Sequence, residues 1–131
     1  PSGTNKAISV GAYNSYNDTI ASFSGRGFTR EENQVKPDIV APGVNIVSAS
    51  NAGGPNSMSG TSMATPFVTG GAALMMEWGI VRRNDRYLYG EKVKAYMIRG
   101  ARKLPGLNRW PNKQAGWGAL CLEKSFPQKM L

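Results

Sequence analysis

Gly60-Thr61-Ser62-Met63-Ala64-Thr65-Pro66 places one serine hydroxyl at a junction where chemistry is possible. The preceding segment, Asn51 to Gly60, is rich in Asn, Gly, Ser and Pro and reads as loop. The following run reads as helix. A serine at a helix N-terminus lies beside backbone N–H groups that have no intrahelical partner, and beside the positive end of the helix dipole. Those groups suit an oxyanion. Gly60 would let backbone and substrate carbonyl come close, and Ala64 and Thr65 keep the helix slim beneath the site. Taken alone, a serine here is equally a good helix cap. The hydroxyl also needs a general base, and the chain contains no histidine. Asp18, Asp38 and Asp85 are its only aspartates.

The elements that must position Ser62 follow from periodicity and breakers. Ala7 to Ala12 is a short apolar run leading to a polar turn at Asn14 to Asp18, the pattern of a buried strand. A glycine-containing loop spans Ser24 to Gly27. Asp38 to Ala41 predicts a second buried strand, stopped by Pro42-Gly43, and Val44 to Ser48 a third extended piece. A helix is predicted from Thr61 or Ser62, with Pro66 tolerable in its first turn and Gly70-Gly71-Ala72-Ala73 allowing close packing on a sheet. Phe67, Val68, Ala72, Leu74 and Met75 predict that it is largely buried. A second helix is predicted over Glu91 to Arg99, with Val93, Tyr96 and Met97 on one face and Gly100 just past its end. Gly116 to Leu122 reads as a turn and a short apolar element. Strands alternating with helices predict an α/β domain with a mainly parallel sheet. Two or three strands leave that sheet incomplete.

The totals narrow the function classes. At 131 residues the chain is one compact domain or part of one. Its longest apolar stretch, Gly70 to Trp78, is far shorter than the roughly 20 residues a membrane helix needs, so no membrane span is expected. The opening Pro1-Ser2-Gly3-Thr4-Asn5-Lys6 has neither an initiating Met nor a leader pattern, which predicts a chain cut from something longer. Cys121 has no partner for an intramolecular disulfide and, between Leu120 and Leu122, reads as a buried inert thiol. The net charge of +8 is concentrated in Arg82, Arg83, Arg86, Lys92, Lys94, Arg99, Arg102 and Lys103. No nucleic-acid module accompanies this stretch, so a solvated face is expected rather than a nucleic-acid partner. Trp78, Trp110 and Trp117 read as packing residues.

The heptapeptide Gly60 to Pro66 resembles the nucleophile motif of the subtilisin family of serine peptidases at every position. Three further blocks stand in that family's order: Ala7-Ile8-Ser9-Val10-Gly11-Ala12, Ala21-Ser22-Phe23-Ser24-Gly25-Arg26-Gly27 and Lys36-Pro37-Asp38-Ile39-Val40-Ala41-Pro42-Gly43. The resemblance covers about residues 1–122. It implies that the whole chain, 1–131, is the carboxyl-terminal portion of one three-layer α/β peptidase domain. The implied activity is that of a serine endopeptidase, with Ser62 forming the acyl-enzyme, its own backbone N–H donating to the oxyanion, and Gly60 and Thr61 supporting it. The family's histidine, aspartate and oxyanion asparagine lie upstream, so Asn5, Asn14 and Asn17 do not take that last role, and the chain alone is expected to be inactive. Its implied partners are a peptide or protein substrate and the missing amino-terminal part of the domain. The rival reading is a pseudopeptidase that keeps the fold for binding or signalling.

Gly27-Phe28-Thr29-Arg30 and Gly116 to Leu122 turn the resemblance toward clostridial subtilases of the kind acting in spore germination. A secreted, cell-envelope or spore-associated bacterial setting follows as an expectation. Phe67 stands where many subtilisins have a structural histidine, and Pro1 where some have a cis proline. No cofactor is required. The resemblance does imply a weak site for a structural cation such as calcium, formed by the carbonyls of Ser2, Thr4 and Ala7 with the carboxylate of Asp38. Read without the resemblance, Asp38 is a loop-stabilising hydrogen bonder.

Overall fold

A computed structural model describes residues 3–127. Strand β1, Val10–Asn14, pairs in parallel with β3, Ile39–Pro42, in a register that sets Val10 against Ile39 and Tyr13 against Pro42. The short β2, Thr19–Ile20, returns antiparallel beside the end of β1. Beyond β3 the sheet continues through an irregular segment. The amide of Val40 donates to the Gly118 carbonyl at 2.9 Å, and that of Leu120 to the Val40 carbonyl at 2.8 Å. The buried runs that predicted two parallel strands thus form the centre of an α/β sheet, because a strand covered on both faces needs apolar residues throughout.

The edge of β1 away from β3 is closed partly by a side chain. Ser24, buried in the turn after β2, accepts the amide of Ala12 on its hydroxyl at 3.0 Å, while the Ala21 amide donates to the Ala12 carbonyl at 3.0 Å. Buried main-chain groups need such partners, and the turn from Ala21 to Ser24 supplies them.

Helix α1, Thr61–Met76, crosses the sheet and packs on β1 and β3. Its buried residues are Ala64, Val68, Gly71 and Met75, one narrow stripe at three- and four-residue spacing. This corrects the expectation of a largely buried helix, since Phe67 and Leu74 are 43% and 52% exposed. Only one face of α1 meets the sheet, and the small residues on it allow close approach. Helix α2, Gly90–Gly100, includes the glycine expected just beyond it and buries Val93 and Met97. A π-helical turn, Glu77–Val81, prolongs α1, and a single-turn helix α3, Leu122–Ser125, packs on α2.

Two further expectations change. The segment predicted as loop contains β5, Pro55–Met58, paired antiparallel with β4, Ile46–Ala49. Gly53 and Gly54, at φ of 87° and 72°, turn the chain between them. Every residue of β5 is exposed, so backbone hydrogen bonds rather than an apolar alternation define the strand. Cys121 is only partly buried, because it sits at the entry to α3 rather than inside the core. The tryptophans pack as expected in part: Trp78 meets Phe126 edge-on at 5.6 Å, and Trp110 donates its indole N–H to the Leu107 carbonyl at 3.1 Å.

Much of the basic stretch is internally paired. Arg82 reaches Glu77, Lys92 reaches Asp85, and Arg102 grips Asp18 with two guanidinium nitrogens at 2.7 and 3.2 Å. The last pair ties the turn between β1 and β2 to the chain after α2. Hydrogen bonding to Arg102 holds the Asp18 carboxyl below its ordinary range, against the opposing effect of burial. A carboxylate with a depressed folded-state pKa contributes stability above its unfolded value, about 3.9, and that contribution is lost as pH falls through the folded value. Stability of the full-length protein should therefore decline on the acid side, and Asp18→Asn should flatten the decline. Urea unfolding at stepped pH checks this, and equal acid slopes in both proteins would contradict it.

Candidate active site

Ser62 is the second residue of α1 and is exposed. The cap position is held by Gly60 without any side-chain hydrogen bond, so Ser62 does not serve as the helix cap. The first intrahelical bonds are donated by Met63 and Ala64, both to the Gly60 carbonyl. The amides of Thr61 and Ser62 belong to the helix's unpaired first turn, where the dipole favours negative charge.

Two backbone hydrogen bonds hang this junction from the sheet. Gly43, directly after β3, donates its amide to the Tyr13 carbonyl at 3.0 Å and accepts the Gly60 amide at 2.8 Å. Ala64, fully buried one residue beyond Met63, rests against the same place. The approach is so close that a side-chain carbon on Gly43 would lie 2.6 Å from the Ala12 Cβ and 2.9 Å from the Gly60 oxygen. The Pro42-Gly43 break and the Gly60 cap are therefore two sides of one contact. They fix where the serine begins its helix.

Depressions lie on both sides of that helix start. On one side a cavity of about 390 Å³ runs between Ser62, Met63 and Phe67 of α1 and Val47 and Met58 of the β4–β5 hairpin. On the other, a cavity of about 320 Å³ lies between Thr61, Gly11 and the Gly25 to Phe28 loop. Of this hairpin wall the sequence shows β4, which overlaps the extended piece predicted over Val44 to Ser48, but not β5, which lies in a segment rich in turn formers.

Neither a histidine nor an unengaged aspartate of this chain stands beside Ser62. The chain has no histidine, and each aspartate is already engaged: Asp18 with Arg102, Asp85 with Lys92, and Asp38 with two lysines. The predicted cation set is partly assembled. The carbonyls of Thr4 and Ala7 do converge near the carboxylate of Asp38, whereas Ser2, like Pro1, lies outside the described residues. What those oxygens meet is the chain's own ammonium groups. Lys36 Nζ lies 2.8 Å from Asp38 Oδ2 and Lys94 Nζ lies 3.0 Å from Asp38 Oδ1. The oxygens do not fit a metal ion, because their lone pairs on that side are taken by N–H donors. No cluster of three or more His, Cys, Asp or Glu side chains suited to a metal occurs among the described residues.

The sequence profile of the subtilase family, peptidase S8, matches residues 1–118. The serine protease AprX of Bacillus subtilis is 36% identical, over 97% of this chain and 31% of its own length. Membrane-bound transcription factor site-1 protease of Mus musculus is 34% identical, over 96% of this chain and 12% of its own. Among solved structures, the CspB protease of Clostridium perfringens superposes with a TM-score of 0.90 at 47% identity, covering 95% of this chain and 27% of that one. The chain thus spans about a third or less of the length of these relatives.

Proposed function

This chain belongs to the subtilase family of peptidases, and from that premise we propose that it carries the nucleophile of a serine endopeptidase whose remaining catalytic groups stand upstream. Ser62 Oγ attacks the carbonyl carbon of the scissile peptide while a histidine from the amino-terminal part of the domain takes its proton. The carbonyl oxygen becomes an oxyanion, received by the Ser62 amide at the start of α1 and by an upstream asparagine. Collapse expels the amine, which takes the proton back from the base, and leaves an acyl-enzyme that water then hydrolyses. The exposure of Ser62 at a helix N-terminus with no side-chain cap, between two depressions, carries this reading. Without an upstream base the 131-residue chain by itself turns over no peptide.

The setting we propose is a clostridial type of subtilase that works in the cell envelope or spore and takes part in germination. Its support is the likeness to the C. perfringens CspB protease. Among the described residues no helix is long and apolar enough to cross a membrane.

A fluorophosphonate probe tests the nucleophile, because it labels only an activated serine. The full-length protein should be labelled, and Ser62→Ala should abolish the label. Labelling retained in Ser62→Ala would remove Ser62 from the role. An unlabelled wild-type protein would favour the pseudopeptidase reading instead.

A further inference from the structure

The buried cluster at the start of β1 and β3 contains more positive charge than one carboxylate balances. Lys36, Lys94 and Asp38 have side chains only 10%, 14% and 6% exposed. Burying two ammonium groups beside one carboxylate is unfavourable unless every donor finds an acceptor. Here five hydrogen bonds and a further ion-pair contact surround the two ammonium groups. An ammonium group has three N–H donors. Lys36 Nζ donates to the Thr4 carbonyl at 2.9 Å, the Ala7 carbonyl at 3.4 Å and Asp38 Oδ2 at 2.8 Å. Lys94 Nζ donates to the Asn5 carbonyl at 2.8 Å and the Ala7 carbonyl at 2.9 Å, and forms an ion pair with Asp38 Oδ1 at 3.0 Å. Asp38 Oδ2 also accepts the Ser9 amide at 2.7 Å and the Ser9 hydroxyl at 3.2 Å.

We propose that Lys36 and Lys94 are a built-in replacement for a structural metal ion, holding the loop at Thr4 to Ala7 onto β3 and α2 in a way that needs no calcium. Two ammonium groups and one carboxylate sum to a single positive charge, the same as one carboxylate with one divalent cation. A hard cation requires about six to eight oxygen ligands, and the carbonyls and carboxylate that would provide them are already accepting N–H donors. The two lysines come from separate elements, one from the approach to β3 and one from α2, so the arrangement also staples three parts of the chain.

The test uses the full-length protein. Thermal midpoints are measured in EDTA and in millimolar calcium for wild type, Asp38→Asn, Lys94→Met and Lys36→Met/Lys94→Met. The calcium effect should be the same in wild type and Asp38→Asn, because no metal uses Asp38. Removing the ammonium groups strands a buried carboxylate, so the lysine variants should melt roughly 10 °C lower in EDTA. Calcium should restore part of that loss, since the vacated oxygens can then accept it. A calcium effect present in wild type and abolished by Asp38→Asn would overturn the proposal, as would lysine variants with an unchanged midpoint in EDTA. Amine-reactive labelling of wild type needs no variant. Lys36 and Lys94 should be protected equally in EDTA and calcium while the exposed Lys6 reacts. Protection that requires calcium, or reactivity equal to that of Lys6, would also overturn it.

Discussion

Ser62→Ala in the full-length protein is expected to lower kcat for peptide hydrolysis by about a million-fold, the size of effect known for the nucleophile of subtilisin itself. The loss is large because the nucleophile and its base act as one unit. Without the hydroxyl no acyl-enzyme forms, and the base has no proton to take. What survives is the oxyanion site and substrate binding, worth about 10³- to 10⁴-fold over water. Folding should be untouched. The Ser62 side chain is exposed, and the cap of α1 rests on Gly60 and its bond to Gly43 rather than on the serine. Steady-state kinetics with a peptide substrate, beside a thermal melt, separates the two effects. A loss of only a few-fold, with an unchanged melt, would mean that another residue attacks the substrate.

Gly43→Ala is expected to weaken both the fold and the catalytic site. The added carbon would sit 2.6 Å from the Ala12 Cβ, 2.9 Å from the Gly60 oxygen and 3.3 Å from the Ala64 Cβ. All three neighbours are backbone or Cβ atoms of packed elements, so none can move aside by changing rotamer. Overpacking of this kind typically costs about 1–3 kcal/mol. Relief must come from shifting the start of α1 away from β1 and β3, which displaces Ser62. Since misplacing a reacting group by about 1 Å can cost a hundred-fold in rate, kcat should fall along with stability. Gly70→Ala is the opposite control. Gly70 is exposed, lies inside α1 and has no atom within 4 Å of an added Cβ. Replacing a helix-interior glycine there should stabilise by roughly 0.5–1 kcal/mol and leave turnover alone. Urea unfolding and kinetics on both variants decide the matter. A neutral Gly43→Ala would show that the contact around Gly43 is slack.

Local chemistry made part of this molecule legible without a structure. The serine at a loop-to-helix junction, the helix beginning at Thr61 and the two buried parallel strands all announce themselves in residues that are neighbours in the chain. Each depends on local propensity or on an unbroken apolar run. The absence of any histidine likewise settles, by composition alone, that no imidazole of this chain can activate Ser62.

Other features depend on residues distant in sequence. The strand β5 has no apolar face, so its pairing with β4 is visible only once both backbones lie side by side. Phe67 and Leu74 are apolar yet exposed, because which side of α1 meets the sheet is settled by the packing of Ala64 and Gly71, not by hydrophobicity. The fate of Asp38 is the clearest case. In the sequence it stands two residues after Lys36 and fifty-six before Lys94, as one carboxylate in a family-like segment that could hold a cation. The fold brings α2 against the loop at Thr4 to Ala7 and delivers a second ammonium group to the free carboxylate oxygen. Sequence thus determined which groups can do chemistry, since that is a property of side-chain types and their immediate neighbours. Tertiary structure decided which charges meet, because meeting requires chain segments nearly ninety residues apart to be held within hydrogen-bonding distance.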